Sequence, residues 1–223
     1  MLPDMATSAR TPGRRERKKQ QTRQHIAETA RALFTDRGFE RVTVAEIARA
    51  ADVAEQTVFN YFPTKEDLVY WRLESFEAEL LGAIAERAPG ESALAAFGRF
   101  LLAQRGLLGQ ADPEARERLA ALTRMIIESP ALLAREQQIF AGYTRSLAAL
   151  LAGEAGAGDD DLEPWVAASA MIGAHRALVD YTRARIVART PHTRLARDVR
   201  ARGQRAIALL EGGLGDYAVK RVP

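Results

Sequence analysis

Residues 43–68 are punctuated so closely that only short helices fit. Thr43-Val44-Ala45-Glu46 is a capping box, in which the threonine oxygen accepts a terminal backbone N–H and the glutamate reaches back to the cap. Val44, Ile47, Ala48 and Ala51 then give an i, i+3, i+4, i+7 apolar face. That pattern breaks at Asp52-Val53-Ala54, and a third helix over 55–62 is stopped by Pro63. Thr64-Lys65-Glu66-Asp67 is a second capping signal and starts a fourth helix, expected to run to Arg87 ahead of Pro89-Gly90. Helices this short do not hold themselves in water and need a partner. The stripe Ile26, Ala30, Leu33 and Phe34 on the preceding segment supplies one, and it ends at Gly38 with Arg37 in its last turn.

The rest of the chain stays helical in pattern. Helices are expected near 91–108, 113–128, 130–152, 162–189 and 193–212, with Pro113, Pro130, Pro164 and Pro191 near helix starts. Residues 153–161 are Gly- and Asp-rich and form a loop. No segment alternates with period 2 between turn residues, and no internal repeat is visible, so the fold class is all-α. The 223 residues suit one or two domains, and an apolar fraction of 47% can fill a substantial core. Absence of cysteine excludes disulfide scaffolds, thiolate metal sites and cysteine nucleophiles, and suits a reducing compartment. The longest apolar-or-small run, 166–174, falls far short of the roughly 20 residues that span a bilayer. The first residues, Met1-Leu2-Pro3-Asp4, do not read as a signal peptide, and the expected location is cytoplasmic.

Charge is unevenly distributed. Between Arg10 and His25 lie seven basic residues (Arg10, Arg14, Arg15, Arg17, Lys18, Lys19, Arg23) and one acid, Glu16. That segment carries +6 of a net +3, leaving −3 elsewhere. Residues 1–19 read as a disordered basic arm, 20–68 as a helix-turn-helix head and 69–223 as a helical body. A basic arm on a slightly acidic body suits a polyanionic partner, although a solvated leader has the same composition. On the third helix Val58 and Phe62 point one way, flanked by Glu55 and Phe59, while Gln56, Thr57, Asn60 and Tyr61 point the other. An ordinary solvent face carries Lys, Glu and Arg. This neutral polar set has the groups that read base edges, Gln and Asn to adenine and Thr to an edge or a thymine methyl.

The stretch 39–68, with the helix before it, resembles the DNA-binding head of the tetracycline-repressor (TetR) family over about residues 20–70. The resemblance rests on the Thr43-capped second helix, the Thr57-x-x-x-Tyr61-Phe62 third helix and the Lys65-Glu66-x-Leu68 start of the fourth. It implies a homodimer placing two third helices in successive major grooves of a palindromic double-stranded operator. Carried over by position, Gln56, Thr57, Asn60 and Tyr61 contact bases or phosphates. Thr43 and Lys65 anchor phosphates, and Arg14, Arg15, Lys18 and Lys19 supply basic contacts from the arm. Three positions depart from the family pattern: Asp52 where Gly is frequent, Ala54 where Ser caps the third helix, and Phe59 where Tyr offers a hydroxyl. For Phe59 the expected role is core or flank.

The body carries small residues at Ala170, Gly173, Ala174, Ala177 and Ala184, and the last helix offers Leu195, Val199, Ala206, Ile207 and Leu210. These two helices are expected to form the dimer interface, as the resemblance also implies; the other reading has both stripes face their own core. TetR-like proteins usually release DNA when a small molecule enters the body. Trp71, Phe97, Phe100, Met125, Phe140, Tyr143, Trp165, His175 and Arg176 are candidate lining for an effector of unknown identity, and each equally suits a core. His175 beside Arg176 could meet an anionic effector group or be a structural pair with Asp180. Scattered histidines (His25, His175, His192) and the lack of zincin, nucleophile-elbow or phosphate-loop motifs speak against an enzyme, and no cofactor or metal is expected. The expected function is a ligand-released DNA-binding regulator, most often a repressor. The alternative is a ligand-independent nucleoid or structural factor with the same head.

Overall fold

The computed structural model describes residues 13–103, 113–158 and 160–214. Ten α-helices run through these residues, with no strand among them. The chain divides into two compact units between Trp71 and Arg72, three residues beyond the expected boundary.

The first unit holds α1 (Arg14–Arg37), α2 (Val44–Ala50), α3 (Glu55–Tyr61) and α4 (Asp67–Tyr70). Its core gathers Ile26, Ala30 and Phe34 of α1, Ile47 and Ala48 of α2, Val58 and Phe62, and Leu68, all nearly inaccessible to solvent. The expected arm is shortened. Residues 14–19 form the opening of α1, consistent with the helix propensity of Arg and Lys, while 1–12 lie outside the described residues. The capping box at Thr43 forms as expected. Asp52 takes φ +53°, and Val53 N–H donates to the Ala48 carbonyl at 3.0 Å while Asp52 N–H donates to Arg49. This is a Schellman-type end to α2 with aspartate where glycine is usual.

The second unit holds α5 (Leu73–Ala85), α6 (Ala93–Ala103), α7 (Pro113–Glu128), α8 (Pro130–Ala155), α9 (Glu163–Val187) and α10 (His192–Leu214). The expected continuous fourth helix is broken at Trp71-Arg72, a turn that neither proline nor glycine marks. Leu80, Ile84, Leu94, Phe97, Leu147, Leu151 and Met171 form the centre of the body's core. Gly203 lets α10 approach closely: a Cβ there would stand 2.9 Å from Leu102 Cδ2. Leu195 and Ile207 of α10 are buried within the same subunit, while Val199, Ala206 and Leu210 are half-buried. On α9 the small residues divide, with Gly173, Ala177 and Ala184 exposed and Ala170 and Ala174 half-buried.

Two forked ion pairs fasten α8, one between largely enclosed partners and one between a buried arginine and an exposed glutamate. Arg87 lies just beyond α5; its Nη1 and Nη2 donate to Glu154 Oε1 and Oε2 at 3.0 and 2.6 Å, with the guanidinium almost wholly enclosed. Arg183 of α9 grips Glu136 of α8 in the same forked geometry, one arm at 2.6 Å. At the end of α9, Arg189 takes φ +52°. Thr190 N–H donates to Arg185 and Arg189 N–H to Ile186, a second Schellman-type end without its glycine. A left-handed backbone costs a residue with a side chain roughly 1–2 kcal/mol.

Removing one partner of an enclosed pair strands the other charge. Glu136→Ala is expected to cost about 3–5 kcal/mol in urea unfolding, and replacing both Glu136 and Arg183 by Met far less. Gly203→Ala should cost about 1–3 kcal/mol by forcing Leu102 aside.

Candidate nucleic-acid interface

The α3 surface is built by subtraction. Val58 is buried inside the seven-residue helix and Phe62 is buried at its C-cap. Gln56 and Asn60 are exposed, and Thr57 and Tyr61 are half-buried on the flank. Gln56 Nε2 donates to Asn60 Oδ1 at 3.2 Å, an i, i+4 pair that sets the two amides side by side. Phe59 is 43% exposed, which takes it out of the core and leaves the flank of α3. Ala54 provides no side-chain cap; its carbonyl accepts from Thr57 and Val58 N–H.

Cations are held around this helix by aromatic rings. The Arg23 guanidinium carbon lies 5.3 Å from the centre of the Phe62 ring, and Lys65 Nζ lies 4.1 Å from that of Phe39. A ring face steadies a cation without placing a carboxylate in competition for it. Arg15, Lys18 and Lys19 are exposed at i, i+3 and i+4 on α1. They lie on the stripe that later carries Ile26, the first buried residue of α1 among the described side chains. Arg14 is in the first turn of α1. Arg23 is the cation that the spacing argument did not place at the site; its position on the Phe62 ring depends on how α1 packs.

Thr43 is committed to its box. Its hydroxyl accepts from Glu46 N–H at 3.2 Å and donates to Glu46 Oε2 at 2.9 Å, and its own N–H donates to the same oxygen at 2.8 Å. A phosphate at Thr43 has to share those donors. Arg37 Nη2 meets Glu46 Oε1 at 2.6 Å. The Thr43 N–H and the Arg37 guanidinium together hold the Glu46 carboxyl down at about 2.

In the body, the candidate lining residues divide between the core and the surface. Phe97, Phe140 and Tyr143 are buried in the core cluster, with Phe100 packed against it. Met125 is half-buried on α7, Trp165 is 48% exposed and Arg176 is exposed, while Trp71 belongs to the first unit. Phe76, a residue the sequence reading left out, joins them: its ring centre lies 5.4 Å from Phe100, 5.7 Å from Tyr143 and 4.8 Å from His175. The Tyr143 hydroxyl donates to the Leu73 carbonyl at 2.7 Å. His175 is stacked on Phe76 and edge-on to Phe140, and its Nδ1 has no hydrogen-bond partner. Burial pushes its pKa down to about 4. Its neighbours are therefore aromatic, and the pairing with Arg176 or Asp180 does not form; both of those side chains are exposed.

Two acid responses follow. Glu46 is depressed, so its contribution is complete above the free-glutamate range near 4.5 and is lost as pH falls through about 2. The gap in denaturation midpoint between wild type and Glu46→Gln should close over that window. His175 must be neutral to stay buried, so stability falls from about pH 6.5 downward. By pH 4 the loss should reach about 3 kcal/mol, and His175→Phe should remove it.

Comparison with known proteins agrees with this geometry. The family model described as bacterial regulatory proteins, tetR family, matches residues 26–70, and the MftR C-terminal domain model matches 92–202. The HTH-type transcriptional regulator TcmR of Streptomyces glaucescens is 29% identical over 165 residues, covering 73% of each chain. MftR of Mycobacterium tuberculosis is 29% identical over 164 residues, 70% of this chain and 77% of that one. Among solved structures, the SmeT–triclosan complex superposes with a TM-score of 0.55 at 16% identity, over 91% of this chain and 95% of that chain. Salmonella enterica GusR gives 0.51 at 18% identity, over 87% and 96%. At such identities these two structures speak to the fold alone, and they share it. A Thr43-capped second helix after a long first helix, an exposed polar third helix and two matching domain models lead to one conclusion: this chain belongs to the TetR family of DNA-binding transcriptional regulators.

Proposed function

We propose that the protein is a homodimeric, cytoplasmic repressor rather than an enzyme, that it binds a palindromic DNA operator and that a small molecule releases it. The observation that carries this reading is the face of α3: exposed neutral amides at Gln56 and Asn60, bordered by Thr57 and Tyr61 and flanked by ring-supported Arg23 and Lys65. Gln56 and Asn60 read bases. Thr57 and Tyr61 take flanking base or phosphate contacts, and Phe59 offers its ring to a thymine methyl. Lys65, Thr43, Arg14, Arg15, Lys18 and Lys19 anchor the backbone.

A two-fold operator calls for a two-fold protein. The exposed face of α9 supports this: Leu162 at its N-cap, then Val166, Gly173, Ala177, Ala184 and Val187, recur at steps of four, seven, four, seven and three residues, the spacing of a helix seam. Leu209 of α10, 82% exposed, extends the apolar surface of the last two helices. Release by a small molecule is supported by the solved relative that holds triclosan and by the aromatic cluster around His175, which offers an apolar lining and one unpartnered nitrogen. Among the described residues no helix is long and apolar enough to cross a membrane.

Selection of bound DNA from a random pool tests the reading, with a palindromic consensus expected and a non-palindromic one opposing it. On that consensus, Asn60→Ala should lose about 1–3 kcal/mol of specific binding and relax preference at one base pair. Lys65→Ala should weaken binding to all sequences and lower the salt slope by about 1. Ala177→Arg places like charges across the seam and should yield a monomer in sedimentation, with operator binding lost.

A further inference from the structure

The turn between α9 and α10 carries a cluster that the DNA-binding function does not use. Two cavities of about 260 and 330 Å³ lie on either side of it and share Arg189, Thr190 and Pro191. Five arginines line the pair (Arg116, Arg185, Arg189, Arg194 and Arg202), against two acids, Glu117 and Asp198. Glu117 faces Arg124, outside the lining, at 3.7 Å, and Asp198 is shared between the lining Arg194 and Arg197 at 3.5 Å each. Arg185 and Arg202 rest on the Tyr181 ring at 5.2 and 4.6 Å, which packs two like charges close together. Arg116 Nη1 lies 3.3 Å from His192 Nδ1.

Arg189 stands between the two cavities. Its side chain is exposed and makes no ion pair among the described residues. It occupies the left-handed position where a Schellman end usually places glycine, with φ +52°. Arginine there works against the fold and adds charge to an already cationic turn, the combination expected when strain is retained for a ligand. The smaller cavity differs in character on its other side, where Leu119, Ala120, Ile186 and Leu195 supply apolar walls.

We propose that this turn binds an amphipathic organic oxyanion, a small molecule with a phosphate or carboxylate head on an apolar body. The head lies against Arg189, Arg185 and Arg202, where guanidinium forks match a planar or tetrahedral oxyanion. The apolar part lies along Leu119, Ala120 and Leu195. The inference does not rest on the operator reading, because it concerns binding to the protein without DNA.

Calorimetric titration of the full chain with octyl phosphate, octanoate and inorganic pyrophosphate tests it. Saturable binding of octyl phosphate or octanoate is expected, tighter than pyrophosphate, and whichever binds identifies the head group. Arg189→Gly should lose roughly tenfold or more in affinity while its melting temperature without ligand stays level or rises, which separates lost binding from lost folding. Ala120→Glu should weaken the tailed ligands more than pyrophosphate, and Arg145→Ala, at an exposed position of α8, should change nothing. The proposal is overturned by no saturable binding, by equal affinity in wild type and Arg189→Gly, or by pyrophosphate matching the tailed ligands. It is also overturned if Arg189→Gly weakens duplex DNA binding and leaves octyl phosphate untouched, which would make the turn a nucleic-acid contact.

Discussion

A helix of seven residues cannot sustain itself in water, and the DNA-reading surface is one such helix. What holds it is burial: Val58 and Phe62 are almost wholly enclosed, and α3 packs against α2. Because so few side chains of α3 point inward, the others are free to be chosen for recognition. The missing cap at Ala54 is tolerable for the same reason. A cap is worth about 0.5–2 kcal/mol, comparable to burying one large apolar side chain, and the head buries several. The core of the first unit is thus the precondition of the interface.

Charge in the two units is handled differently. In the head, Arg23 and Lys65 rest on aromatic rings, and Glu46 is occupied by Thr43 and Arg37. Glu46 is thus tied down by its own neighbours, while the two cations have ring faces beneath them. In the body, enclosed arginines are matched by carboxylates at Glu136 and Glu154, while the α9–α10 turn leaves cations in excess. One is the pattern of a structural pair and the other that of a surface prepared for an anion.

What the sequence disclosed was local chemistry. The box at Thr43 and Glu46, the stop at Pro63 and the tolerance of Asp52 for a left-handed backbone each depend on neighbours within a few residues, and each is found in the structure. Features set by distant packing were not legible. The break at Trp71-Arg72 has no proline or glycine to announce it. The exposure of Phe59, the inward turn of Leu195 and Ile207 on α10, and the placing of Phe76 against His175 follow from which faces meet, and periodicity reports only that a face exists. The rule that expects glycine after a helix would have passed over Arg189.

The two forks on α8 constrain how the body can move. Glu136 and Glu154 are set eighteen positions apart on one helix of 26 residues, close to its opposite ends, and each is seized by a guanidinium from a different neighbour. A helix pinned at one point can slide or swivel; pinned at two, it becomes a beam. Sliding α8 by one turn, about 5.4 Å, would break both grips together and leave the enclosed Arg87, Glu136 and Arg183 without their partners. A rearrangement of this body therefore pivots around that beam, with the strain carried by the helices that no such grip secures.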